Sequence, residues 1–225
     1  MTISDQSLQS ASQHRKSQGE PLDPFSFDEL KHWLDYMGRK NEAFHDLVLF
    51  WSRSGLRPGE LNALRWEHID RFNRKALIRE NRPFCGGTDT PKTSHSVRDI
   101  DIQPIVIEAL ARQEARTLIM DKWVFMDRTY QWNPVTMRQA FKHWLKMAGI
   151  KYRPPKALRH TFATLHIAAG ENIDWVSKML GHSSPQTTWA RYVRFLPNLT
   201  RSDGSAFDAA MDTNGKNPVT RKIHK

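Results

Sequence analysis

Cysteine is almost absent: Cys85 is the only one in 225 residues. A lone thiol excludes a disulfide framework within the chain and a cysteine-based zinc site, and it fits a reducing cytoplasm. There is no HExxH, and His160 and His166 fall on different faces of a helix, so no metal site is expected, even with His182 counted. No apolar run approaches the length that spans a bilayer. The N-terminal stretch MTISDQSLQSASQHRKSQGEPLDP lacks the apolar core of a secretory signal. Acidic residues are in the minority, 24 Asp and Glu against 34 Lys and Arg, for a net charge of +10. That imbalance favours a polyanionic partner, nucleic acid first.

What is present supports a folded core. Hydrophobic residues make up 39% of the chain, with eight Trp and eleven Phe to anchor it. The length allows one good-sized domain or two small ones. Residues 1–24, rich in Ser, Gln and charge, are expected to be a disordered arm or linker. Order is expected to begin at Ser26, where Ser26 and Glu29 form a capping-box pattern. Leu30, Trp33, Leu34 and Met37 then share one helix face. A second helix over 42–54 carries Phe44, Leu47, Val48 and Trp51, with Gly55 at its C-terminal end. Pro58 opens a third, carried into the core by Leu61, Leu64 and Trp66.

Strands are expected at 75–80 and 96–102, the second alternating with Ile100 and Ile102 on one face. Polar, Gly-bearing sequence between them forms a turn or hairpin that carries Lys92. Pro104 opens a helix, and 123–126 is a short strand or loop. Asn133 caps a helix closed by Gly149, with Phe141, Trp144, Leu145 and Ala148 inward. Further helices run over 157–169 and 173–180, closed by Gly170 and Gly181. Another starts at Ser184-Pro185 and carries Tyr192, which looks exposed. Beyond 200 the chain is polar and is expected to be a flexible tail. The expected fold is α+β, mostly helical with a small antiparallel sheet.

The chemistry-bearing residues concentrate in KALRHTFATLHIAAGENIDWVSKMLGHSSPQTTWARY, 156–192, with GLRPGEL at 55–61 adding another Arg. Breaking a phosphodiester without a metal needs forked cations on the non-bridging oxygens, a nucleophile in line and a proton for the departing oxygen. Arg57, Lys92, Lys156, Arg159, His182 and Tyr192 would meet that list. Singly, each has an ordinary explanation. Arg57 could be a surface ion pair, Glu60 a first-turn acid, Lys92 a solvated loop cation, Arg159 a snorkelling helix residue and Tyr192 a packing residue. His160 and His166 are expected to be structural or partly exposed.

The set is more specific than its members. GLRPGEL, TPKTSHSVRDI (90–100), KALRHTFATLHIAAG and LGHSSPQTTWARYV, in this order, resemble the catalytic domain of the tyrosine recombinases, the phage-type integrases. The resemblance covers about Ser26 to Leu196, within a catalytic domain expected over 25–199. It implies that Arg57 and Arg159 are the two catalytic arginines, with Glu60 supporting the first. Lys92 resembles the hairpin general acid, His182 the phosphate-binding His and Tyr192 the nucleophile. Lys156 stands where the family often has His. The step from His182 to Tyr192 is ten residues, one longer than the commonest pattern.

The implied activity is site-specific recombination or integration of double-stranded DNA through a 3′-phosphotyrosyl intermediate, without a cofactor. A homo-oligomer on DNA, a tetramer, is implied, in the cytoplasm of a bacterial cell and encoded there or by a phage. The tail 200–225 could pack on a neighbouring protomer. The N-terminal domain with which family members clamp the other face of DNA is not in the sequence, so a catalytic half is expected. The rival readings are a non-catalytic DNA-binding remnant or regulator with the same fold, and a topoisomerase-like nicking and closing enzyme.

Overall fold

A computed structural model of the chain describes residues 22–82, 97–119, 121–127 and 130–195. Residues 1–21 of the expected arm, Lys92 with most of its hairpin, and the expected tail lie outside the described residues. The last residues expected in the arm are instead part of the domain: Leu22 packs on the core and Asp23 pairs with Lys151 and Arg153. The order of elements is α1 (Phe27–Lys40), α2 (Glu42–Ser54), α3 (Pro58–Asn62), β1 (Ile69–Asp70), β2 (Lys75–Ile78), β3 (Arg98–Asp101), α4 (Pro104–Thr117), β4 (Met126–Asp127), β5 (Tyr130–Gln131), α5 (Pro134–Met147), α6 (Ala157–Ala168), α7 (Ile173–Leu180) and α8 (Pro185–Tyr192). No helix among the described residues is long and apolar enough to cross a membrane.

Local chemistry sets most boundaries. Ser26 Oγ accepts from the Glu29 amide, and Glu29 returns the bond to the Ser26 amide at 2.9 Å, the reciprocal cap expected at α1. Asn41 serves two helices: its amide donates to the Met37 carbonyl, ending α1, and its side chain accepts from the Phe44 amide, starting α2. The third helix is shorter than expected. It ends at Asn62, and Leu64 and Trp66 reach the core from the irregular segment and 3-10 turn beyond it.

Helix α2 packs against α1, α4 and α6, and its stripe of Phe44, Leu47, Val48 and Trp51 is buried as expected. Phe141 of α5 lies in the aromatic core, meeting Trp33, Phe44 and Trp51 edge-on at 5.3, 5.6 and 5.8 Å. Those are favoured T-shaped contacts. The segment before α1 is tied in as well, because the Phe25 amide donates to Thr161 Oγ1 of α6 at 2.9 Å.

The small sheet is antiparallel in the order β1-β2-β3, with Ala76 opposite Ile100 and Ile78 opposite Arg98. Ile100 and Ile102 lie on the inner side as expected, and alternation puts Arg98 there too. The two-residue β1 was not expected.

Gly55 controls the approach to the site. Its φ is +64°, a conformation in which a side chain is strained, and an added Cβ would lie 2.5 Å from the Phe162 ring. Gly149 has a similar φ, +70°, with nothing within 4 Å of an added Cβ. We therefore expect Gly149→Ala to cost about 1–2 kcal/mol of backbone strain. Gly55→Ala should add roughly 1–3 kcal/mol of overpacking to the same strain. Urea denaturation of the two variants reads the difference, and equal losses would show that Phe162 moves aside freely.

Candidate active site

The site forms where the end of α2, the start of α3, the start of α6 and the end of α7 converge. The last carbonyls of a helix have no partner inside it, and they carry the negative end of the helix dipole. Three consecutive carbonyls here each accept from a different arginine. Arg98 Nε donates to Met179 O at 2.8 Å, Arg159 Nη2 to Leu180 O at 2.8 Å, and Arg57 Nη2 to Gly181 O at 3.3 Å. The Leu-Gly part of the LGH motif is thus a backbone rack for guanidinium groups.

Each arginine has a second anchor. Arg159 Nη1 donates to Gly55 O at 2.8 Å, which ties it to the left-handed turn that closes α2. Arg57 Nη1 donates to Glu60 Oε1 at 2.7 Å, while its amide donates to Glu60 Oε2. Arg98 places both terminal nitrogens on the same carboxylate, at 3.0 and 2.9 Å. Glu60 and Arg98 are buried, whereas Arg57 is partly open, its side chain 39% exposed. Glu60 therefore supports Arg57 as expected and also neutralises Arg98, which the motif comparison did not single out.

Among the described residues, three guanidinium groups, those of Arg57, Arg98 and Arg159, meet one carboxylate, Glu60. Burial alone would push Glu60 up, but Arg98, Arg57 and Arg159 more than reverse that and hold it below the ordinary value. Arg159 is pushed down to about 9, first by burial and then by Arg57, with Glu60 opposing. At neutral pH it remains protonated. Among the described residues cationic charge is in excess, which favours an anion.

Replacing Glu60 by Gln removes the carboxylate that Arg57 and the buried Arg98 both hold. Breaking such a pair costs about 3–5 kcal/mol. The folded-state carboxyl value is depressed, so the advantage of the parent chain is complete above the unfolded value, roughly 4.3. It is lost as pH falls through the folded value. Denaturation midpoints of parent and Glu60→Gln should differ at neutral pH and converge in acid. A constant difference across pH would assign the effect to packing instead.

His182 follows the arginine rack, and its Nδ1 bonds Thr188 Oγ1 of α8 at 2.7 Å. Burial, then Arg159 and Arg57, push its ring down to about 3, so it is neutral at pH 7. Lys156 is exposed in the turn that begins α6, three residues before Arg159. Lys92 is outside the described residues, but the segment's stems are fixed: Arg82 N donates to Gly59 O of α3 at 3.0 Å, and Arg98 grips Glu60.

Tyr192, expected to be exposed, is fully buried at 0% exposure as the last residue of α8. Its ring stacks near His182, 6.5 Å between centroids and 11° from parallel. Its hydroxyl lies 2.9 Å from His160 Nδ1. Burial raises the phenol above its ordinary value, with Arg159 and Arg191 opposing. His160 was expected to be structural or partly exposed; it is half-buried and touches the hydroxyl of the expected nucleophile. Among the described residues, no group of three or more His, Cys, Asp or Glu lies together as metal ligands would.

A sequence model of the phage integrase family matches residues 21–198. The chain belongs to the phage integrase family. A tyrosine recombinase XerC-like protein of Caldanaerobacter subterraneus subsp. tengcongensis is 29% identical over 205 residues, 78% of this chain and 51% of that one. The prophage integrase IntR of Escherichia coli K12 is 26% identical, over 83% of this chain and 50% of its own. The chain thus spans about half the length of the curated relatives it matches. Among solved structures, the Tn1549 transposon integrase in complex with circular intermediate DNA gives a TM-score of 0.72 at 22% identity, over 91% of this chain and 75% of that one. XerA recombinase gives 0.64 at 22% identity, over 90% and 68%. The likeness to these solved structures agrees with the α+β architecture expected from the sequence.

Proposed function

We propose that this chain is the DNA-cleaving and rejoining part of a site-specific recombinase or integrase, with 25–199 as its catalytic domain. The observation that carries the reading is the rack of three guanidinium groups on successive carbonyls, beside a site that also holds His182 and Tyr192. Arg159 and Arg57 bind the non-bridging oxygens of the scissile phosphate, and Glu60 orients Arg57. Lys156 and neutral His182 add hydrogen bonds to the same group. Tyr192 attacks phosphorus, giving a 3′-phosphotyrosyl link, and Lys92 protonates the departing 5′ oxygen. Rejoining to another strand completes recombination.

Double-stranded DNA is the partner, supported by the net charge of +10 and by relatives such as the Tn1549 integrase, solved in complex with DNA. The working form is a homo-oligomer on DNA, a tetramer, acting in the cytoplasm of a bacterial host. Rate comes mainly from donors fixed before the phosphate arrives, which need no reorganisation during the reaction.

The test is covalent capture. A pool of suicide duplexes, nicked beside a randomised centre, is incubated with the chain, and denatured protein–DNA adducts are isolated and sequenced. We expect adducts through a 3′ phosphate on Tyr192, with selected sequences around the break. DNA binding without adduct would instead support the regulator, and adducts on another residue would overturn the residue assignment.

A further inference from the structure

We propose that His160 is a catalytic residue that takes the proton from Tyr192 as its oxygen attacks phosphorus. The inference rests on the proposed strand-cleavage function. Its starting point is contact, since His160 Nδ1 lies 2.9 Å from the Tyr192 hydroxyl, across the interface of α6 and α8.

The other candidates for this task are occupied or unsuited. Lys156 offers donors and no acceptor. His182 commits Nδ1 to Thr188. His160 can accept at Nδ1 when its own proton sits on Nε2. Arg159 and Arg191 favour the phenolate electrostatically. The hydrogen bond that the structure gives the hydroxyl is to His160 Nδ1, which is placed to receive its proton.

The surroundings make this base conditional on substrate. Burial, then Arg191 of α8, Arg159 of its own helix and Lys156 just before that helix push the ring down to about 4, so the resting pair keeps its proton on Tyr192. A DNA phosphate set against Arg159 and Lys156 cancels part of their field at His160. The ring then becomes more basic when there is a phosphorus to attack. As the bond from Tyr192 oxygen to phosphorus forms, the proton passes to His160 Nδ1. The bond from phosphorus to the 5′ oxygen breaks, and that oxygen takes a proton from Lys92. On rejoining, the 5′ hydroxyl attacks the phosphotyrosine and gives its proton back to Lys92, while the bond from phosphorus to Tyr192 oxygen breaks and His160 returns its proton to that oxygen.

The test uses the full chain, a captured suicide duplex and single-turnover adduct formation. His160→Asn keeps a short hydrogen-bonding group beside the hydroxyl but cannot take up a proton. It and His160→Ala should lose about 10²–10⁴-fold in rate, the usual share of general base catalysis. Added imidazole should restore part of the rate of His160→Ala, in proportion to its unprotonated fraction. A duplex with sulfur at the bridging 5′ position, a leaving group that needs no proton, should leave both defects in place. Cleavage by His160→Asn at the parent rate would overturn the proposal, and so would a defect removed by the sulfur substitution. Nitrogen NMR of the parent chain decides independently of folding of the variants: a proton on His160 Nδ1 rather than Nε2 would also overturn it. A parent chain that forms no adduct at all would overturn the strand-cleavage function itself, a result distinct from either.

Discussion

Tyr192→Phe is expected to bind DNA as the parent does and to form no covalent adduct above background. The substitution removes one oxygen and nothing else, and that oxygen is the one that would bond to phosphorus. The ring stays at its fully buried position beside His182 and His160. One hydrogen bond, to His160, is lost, worth about 0.5–1.5 kcal/mol of stability. Folding should therefore survive while chemistry does not. A denaturing gel of labelled suicide duplex checks the adduct, and thermal unfolding checks the fold. Adduct persisting in the Phe variant would move the nucleophile elsewhere, with Tyr152 and the serines of the LGHSSP loop next in line.

The buried hydroxyl also implies motion. For Tyr192 to serve as the proposed nucleophile, phosphorus must reach a hydroxyl on a residue with no exposed surface, so the end of α8 would shift with the His160 contact kept. In the described residues α8 is held at two points along its eight residues, by Thr188 on His182 and Tyr192 on His160. Both restraints involve histidines kept neutral by burial and by the arginine cluster. DNA that neutralises the cluster acts on the tyrosine's position and on its proton together.

Capping made much of the fold legible in the sequence, because a cap is a local event. Ser26, Gly55, Asn133, Gly149, Gly170 and Gly181 mark helix ends where the chain must offer a side-chain acceptor or a left-handed turn. Arg98 was missed for the opposite reason. Its partner Glu60 is 38 residues away, and a strand pattern does not name a partner. The signal was nevertheless present: alternation puts residue 98 on the same face as Ile100 and Ile102, and a core-facing Arg needs a carboxylate. His160 had no such signal, since its contact with Tyr192 spans 32 residues and depends on how α6 and α8 dock. The burial of Tyr192 follows from the same docking. An amphipathic pattern over eight residues is too short to fix which side faces in.

Arg159 should show the other large effect, and Ala and Lys variants should fail differently. Guanidinium has five donors, of which two bonds go to Gly55 O and Leu180 O, leaving three for a phosphate. Arg159→Ala removes these donors and leaves two buried carbonyls without a partner, at about 1–3 kcal/mol each. It should both unfold more easily and lose cleavage by at least about 10²–10³-fold, the effect of deleting one fixed oxyanion donor. Arg159→Lys keeps the charge with three donors, so satisfying both carbonyls leaves one. Its stability should recover much of the loss while its rate stays near that of Ala, because two-pronged contact with phosphate is gone. DNA binding bears on the same residue. The parent holds Arg159 protonated against burial and a neighbouring Arg57, a cost that a phosphate relieves. Duplex DNA should therefore raise the unfolding temperature of the parent by linkage, and by less in Arg159→Ala. Thermal unfolding with and without duplex, beside single-turnover cleavage, separates these contributions. A Lys variant that cleaves like the parent would mean that Arg159 acts through charge alone, and that the fork anchored on α2 and α7 is structural.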